Sequence, residues 1–320
     1  MARSPGYVWK RISYAGITVL VSITLNFVLF RILPGNAVNR IARVPNASPA
    51  LKHALEVQFG LDKSLPIQFW DYVQQMAQGN LGVSFTTRQP VADMLAQAFL
   101  NTIPMVGLGT VLSLLLGIAI GVFSAVRRGT ILDHLVTNAA VIFYAFPTQF
   151  LGMMILILFA GILPSAGMTD PFLMSDSQLA YIGDVCLHMI MPVLTLVLTL
   201  CAENILIVRS AMLETLGEDY ILTAKAKGIS NLRNIYFHAL RNATLPIVTM
   251  VAMSLGSVVT GAILVEVIFS WPGIGQMLYQ AVLQRDYPLL QGGFLVITIT
   301  VIGFNLIADL LYYRLDPRVI

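Results

Sequence analysis

Residues 224–240 read AKAKGISNLRNIYFHAL. This basic, helix-patterned stretch lies between two of the most hydrophobic runs of a 320-residue chain that is 57% apolar and only 11% charged. It marks a place where a largely apolar chain surfaces. Gly228 stands where a helix can end in a left-handed residue, and Ser230 stands where a second can be capped. Upstream, 214–227 holds no Pro and is mostly good helix former, broken only by Gly217. Downstream, Leu232, Ile235, Tyr236, Ala239 and Leu240 follow i, i+3, i+4, i+7, i+8 spacing, with Arg233, Asn234 and Arg241 off the stripe. Such a stripe is covered either by the helix's own bundle or by a groove on a soluble partner.

The rest of the chain supplies the setting. A mean hydropathy of +0.79 with so few charges belongs to integral membrane proteins. The net charge is +3 and no block of five basic residues occurs, so nothing points to nucleic acid. Cys186 and Cys201 make neither a disulfide framework nor a CxxC site. Lys10 and Arg11 precede an apolar run over 12–33 that is longer than a signal-peptide core and has no A-x-A-like site after it. It reads as a retained first span.

A bilayer core takes about 20 apolar residues in helical form, because lipid offers no partner to a free backbone group. Six segments qualify: 11–33, 99–126, 131–161, 187–208, 244–270 and 288–313. Pro104, Pro147, Pro192 and Pro246 fall in or beside them, as membrane helices tolerate. The expected fold is an all-α polytopic bundle. Arg3, Lys10, Arg11, Arg127, Arg128, Arg209, Lys225, Lys227, Arg233, Arg241, Arg314 and Arg318 fall on one side, which places both termini in the cytosol. The organisation is then a short cytosolic start (1–10), span one, an external loop (34–98) and a five-span core (99–320) with a cytosolic segment at 209–243. Ser48, Pro49 and Gly60 bound one amphipathic helix in the external loop; Ser64, Pro66 and Gly79 bound another.

Few residues invite a chemical reading. Glu203, Glu266 and Asp309 lie in or near spans, where ionisable groups suggest function. Glu266 and Asp309 fall close to interfaces. Glu203 is deeper, set to pair with Arg209 across a helix bend or to face a pore. Cys186, His188, Met189 and Met191 do not converge on one helix face and make no metal site. Gly117 and Gly121 form a G-x-x-x-G in span two. No G-x-x-x-x-G-K-[ST] occurs, so the chain has no nucleotide-cradling loop of that kind.

The stretch DYILTAKAKGISNLRNIYFHALRNATLPIV resembles the cytosolic coupling segment of ABC-importer permeases. The shared pattern is small residues near Ala224, Gly at 228 and Leu-Pro at 245–246. FGLDKSLPIQFWDYVQQMAQGNLGVSF, EVIFSWPGIGQMLYQAVLQRDYPLLQG and NLIADLLYYRLDPRVI resemble the external segment, the last inter-span connection and the C-terminus of the dipeptide/oligopeptide/nickel permeases. The closest likeness is to the first permease of the pair, with its long loop after span one. Leu222 and Asn36 depart from the pattern, at places where acidic residues are usual.

The resemblance implies a type-I ABC importer permease fold. It also implies two paired permeases, two ATPase subunits holding ATP and Mg, and an external substrate-binding protein. No cofactor is implied in this chain. Its coupling residues would be Asp219, Tyr220, Thr223, Ala224, Lys225, Ala226, Lys227, Gly228, Ile229 and Leu232. Span five tends to line the path in such importers, which suggests Met253, Gly256, Ser257, Thr260 and Gly261, with Glu203 and Glu266, as its wall. The implied cargo is di- or oligopeptide, moved across the bacterial plasma membrane. The alternative from residue chemistry alone is an ion-coupled secondary transporter using Glu203 or Glu266.

Overall fold

The computed structural model describes residues 5–32, 63–172, 177–243, 247, 251 and 262–315. All regular elements among them are helical. Helix α1 (Pro5–Ile32) is the expected first span. Helix α2 (Leu65–Ala77) starts after Ser64 with Pro in its first turn, and Gly79 follows it at φ +78°. The amphipathic helix expected over 48–60 lies outside the described residues.

Helix α3 (Val91–Val126) is 36 residues long, about 54 Å at 1.5 Å per residue, so it projects beyond the hydrocarbon core. The run expected as one span over 131–161 is instead two helices, α4 (Ile131–Ala145) and α5 (Thr148–Leu158), bent by 103°. The cause is local. A residue before proline is driven to extended backbone, and Phe146 takes φ −77°, ψ 132° ahead of Pro147. By contrast α3 and α6 (Gln178–Leu216) continue through Pro104 and Pro192.

After α6 come α7 (Asp219–Ala226) and a composite helix, α8, of three abutting pieces: Asn231–Arg233, a π-helical Asn234–Ala239, and Leu240–Asn242. Then follow α9 (Ile263–Ile268), α10 (Ile274–Gln284) and α11 (Tyr287–Leu315). Four of the described helices are long and apolar enough to cross a membrane, or five if the bent pair is one span. Most of the segment expected as span five lies outside the described residues.

The bundle is organised on α3 and α6. A Cβ on Gly109 would lie 2.9 Å from Leu196, one on Gly117 2.4 Å from Asn204, and one on Gly121 2.8 Å from Val208. The offset between partners is a constant 87 residues, so the helices run parallel and touch along one i, i+4 ridge. The G-x-x-x-G of the sequence is the lower part of that ridge, which begins eight residues earlier, at Gly109. Parallel direction requires the chain between them, α4–α5, to return. Helices α1 and α11 pack antiparallel, as Arg11–Asp309 (3.2 Å) and the Asn26 amide to Gln291 O (3.0 Å) show.

One end of the bundle gathers Trp271, Phe269, Met105 and Met191 into a core, with α10 and the turn before α3 above it. The other end packs Val122, Val208 and Met212 against Ile221 and Ala239 of α7 and α8. Phe27 of α1 meets Phe69 of α2 edge-on at 5.3 Å.

Because Gly117 meets Asn204 head-on, Gly117→Ala is expected to cost about 1–3 kcal/mol through overpacking. Gly107→Ala, on the same helix with nothing within 4 Å of its Cβ, is expected to be neutral or to gain about 0.5–1 kcal/mol from helix propensity. Thermal unfolding of the two variants in detergent checks this; equal melting shifts would contradict the packing.

Candidate functional site

The hairpin α7–α8 continues directly from α6. Gly217 breaks the helix, Asp219 begins the next, and Gly228 turns the chain at φ +79°. The Ile229 N–H bonds Ala224 O at 3.2 Å and the Gly228 N–H bonds Lys225 O at 2.9 Å. Those two bonds make a Schellman stop, with the left-handed residue at the glycine as expected. Ser230 occupies the cap position of the next helix, but its side chain makes no capping bond.

The apolar stripe expected on α8 is buried only in part, at Ile235, Ala239 and Leu240. Leu232 and Tyr236 are 69% and 57% exposed, while Asn234, expected off the stripe, is buried with Ala239. The π-helical turn is the reason: a wider i→i+5 turn rotates the register, so spacing counted at 3.6 residues per turn points the wrong way. Asn234 turns in and its amide bonds Ile221 O at 3.3 Å. Ile235 and Leu240, half-buried, stay against the bundle. Phe237, which no spacing rule singled out, is 68% exposed.

The hairpin therefore has two sides. Ile221 and Ala224 pack inward with Asn234 and Ala239, and Ile229 is half-buried. Asp219, Tyr220, Thr223, Lys225, Ala226, Lys227, Gly228 and Leu232 lie on the open side, joined by Leu222, Tyr236 and Phe237. The Thr223 hydroxyl donates to Asp219 O, and the Tyr220 hydroxyl accepts from Asn242, tying α7 to the end of α8. Exposed apolar side chains near exposed lysines in sequence, on a part of the chain that is not apolar overall, have the composition of a protein-docking surface.

The base of this hairpin is held by an ion pair not anticipated from sequence. Arg209 of α6 pairs not with Glu203 but with Asp133 of α4, Nε to Oδ1 at 2.7 Å and Nη2 to Oδ2 at 2.9 Å. The Ser124 and Thr137 hydroxyls and the Gly129 N–H also donate to the carboxylate, and Asp133 is buried. Two planar groups in bidentate contact fix distance and angle together. One signal was legible: Thr130 caps α4 and accepts from the Asp133 N–H, the T-x-x-D pattern of a helix start.

A second buried carboxylate works at the opposite end. Glu266, expected near an interface or on a path, is fully buried. It accepts from the Thr102 hydroxyl at 2.7 Å and from the N–H groups of Gly275 (2.6 Å) and Gln276 (3.1 Å) at the start of α10. A Cβ on Gly273 would sit 2.3 Å from Glu266 Oε1, so only glycine admits the carboxylate. Trp271 donates its indole N–H to Asn101 O at 2.8 Å, and Asn101 returns a bond to Pro272 O at 2.9 Å. The stretch EVIFSWPGIG is thus a clamp between α9, α10 and α3. Nearby, Asp286 accepts from Ser84, Phe85 and Thr86 and anchors the turn that leads into α3.

Glu203 is exposed on α6. Met253, Gly256, Ser257, Thr260 and Gly261 lie outside the described residues.

The sequence that folds this way is similar to known transport proteins. The family model described as "Binding-protein-dependent transport system inner membrane component" matches residues 117–320. A second, "Binding-prot-dependent transport system membrane comp, N-term", matches residues 6–106. The chain belongs to this family. It is 36% identical to the dipeptide transport system permease protein DppB of Escherichia coli (strain K12), over 96% of this chain and 95% of that protein. It is likewise 36% identical to the di/tripeptide transport system permease protein DppB of Pseudomonas aeruginosa (strain UCBPP-PA14), over 96% and 95%. It is 35% identical to the glutathione transport system permease protein GsiC of Salmonella typhimurium (strain LT2), over 98% of each. As a member of a family of inner membrane components it is a multi-helix membrane protein of transport, and its fold is that of a helical permease.

For this family member, Arg209→Leu is expected to destabilise by about 3–5 kcal/mol, since it leaves Asp133 buried and unpaired. Asp133→Leu combined with Arg209→Leu is expected to recover most of that loss. A double-mutant cycle on unfolding midpoints checks it; additive losses would contradict a direct pair.

Proposed function

We propose that this chain is one of two membrane-spanning permease subunits of an ATP-binding-cassette importer that carries di- or oligopeptides inward across the bacterial plasma membrane. It is itself non-catalytic. ATP and Mg are bound and used by two partner ATPase subunits, and an external binding protein delivers the cargo. The chain crosses the membrane six times with both termini in the cytosol, consistent with its Lys and Arg distribution. The peptide cargo is supported by three relatives whose names specify dipeptide, di/tripeptide and glutathione transport.

The observation that carries the reading is the two-sided hairpin. Its inner side is continuous with the core around Val208 and Met212, so a push on it moves α6. Its outer side offers Leu222, Leu232, Tyr236 and Phe237 beside Lys225 and Lys227. The apolar members fit a groove and the basic pair fits acidic groups on an ATPase surface. Closure of the ATPase pair on ATP displaces the hairpin, and the displacement switches the access of the path.

Replacing Gly228 tests the coupling. No atom lies within 4 Å of its Cβ position, so a side chain there costs conformational strain of about 1–2 kcal/mol and no clash. With Gly228→Val, the assembled complex is expected to hydrolyse ATP while taking up markedly less dipeptide per ATP. Unchanged coupling in that variant, or dipeptide uptake by the purified chain alone, would count decisively against the proposal.

A further inference from the structure

The exposed faces of the long helices differ in kind. On α1 the exposed residues include Ile17, Leu20, Val21, Leu25 and Leu29, and on α3 they include Leu108, Val111, Leu115 and Leu116, as lipid contact requires. On α6 one strip is different. Helix α3 covers the side bearing Leu196, Asn204 and Val208, and α4 covers the side bearing Cys201 and Ile205. The strip left open carries Thr199, Glu203, Ser210 and Glu214 at spacings of four, seven and four residues, with Leu206 and Ile207 beside them. These positions share one helix face. Glu203 makes no hydrogen bond or ion pair among the described residues. It lies six residues before Arg209 along the helix, about 9 Å deeper into the bundle.

A carboxylate on such a face is not compatible with hydrocarbon. An ionised acid at depth in a spanning helix turns to protein or to water, and here α3 and α4, among the described helices, lie on the other sides. The polar series leads from Glu203 down to Glu214, at the end where the hairpin begins, so water entering from that end follows it. Resting on the importer reading above, we infer that this strip of α6 is a wall of the aqueous translocation path and that Glu203 is a docking point for a cationic group of the cargo. For a peptide that group is its N-terminal ammonium. The carboxylate supplies an attractive point between the binding protein and the cytosol. Its single charge, without a hydrogen bond or ion pair among the described residues, holds the cation weakly enough to release it.

The test uses the complete complex: both permeases, the ATPase subunits and the binding protein. Cys186 and Cys201 are replaced by Ser, and this parent must take up dipeptide; if it does not, nor does the unmodified complex, the importer reading itself fails. Glu203→Cys and Ser210→Cys are then labelled separately with a cationic and an anionic methanethiosulfonate reagent. Both positions are expected to react. At Ser210→Cys the cationic reagent is expected to react roughly tenfold faster than the anionic one, as a carboxylate about two helical turns further in would bias a narrow wet passage. Adding Glu203→Gln is expected to bring the two rates close together. In a separate arm, Glu203→Gln alone is expected to lower dipeptide uptake several-fold while the complex still copurifies. Two inert cysteines in a transporting complex would place the strip against lipid or the second permease and overturn the inference. Undiminished uptake with Glu203→Gln would overturn the assignment of Glu203 to the cargo.

Discussion

Close approach of α3 and α6 is the constraint on which the remaining architecture depends. Gly109, Gly117 and Gly121 remove the side chains that would hold the two helices apart, and Leu196, Asn204 and Val208 fill the space. Lipid gives no hydrophobic reward for bringing apolar helices together, so association has to come from packing at short range. The constant offset makes the pair parallel. That direction forces α4 and α5 to return between them, and it places the start of α3 and the end of α6 at opposite ends of the bundle. What happens at those two ends is then decided by buried carboxylates.

Each carboxylate joins the pair to something that would otherwise swing free. At one end Glu266 ties α9 and the start of α10 to Thr102 of α3, and Asp286 ties the connection between α10 and α11 to the turn before α3. At the other, Asp133 joins α4 to Arg209 of α6 and Ser124 of α3. A buried carboxylate is tolerated only when its oxygens are bonded, and all three meet that condition: Asp133 with a guanidinium, Glu266 and Asp286 with hydroxyl and backbone N–H groups. The hairpin hangs from the α6 end of this braced frame.

Much of this was legible from residues. Helical character followed from apolar run length, the hairpin from the Gly228 stop, and α2 from its Ser-x-Pro start and Gly79. Three features were not. The π-helical turn in α8 shifted a 3.6-residue count, so Asn234 went in and Leu232 and Tyr236 came out. The turn at Phe146–Pro147 split an apolar run that composition alone presents as continuous. The Asp133–Arg209 pair spans 76 positions, and sequence proximity had suggested Glu203 instead. Apolar content is a sum over a segment and survives small errors; pairing and register depend on single residues and do not. The glycines of WPGIG were a usable clue, because two glycines so close to an acid mark where backbone must admit a carboxylate.

On the proposed function, the outward side of the α7–α8 hairpin meets an ATPase subunit in the cytosol. The most direct measurement places a photoreactive amino acid at Leu232 in membranes containing the complete complex and identifies what it captures on illumination. An adduct with an ATPase subunit is expected, absent when the same group is placed at Leu25 on the exposed apolar side of α1. Capture of the external binding protein from Leu232, or of lipid alone, would contradict it.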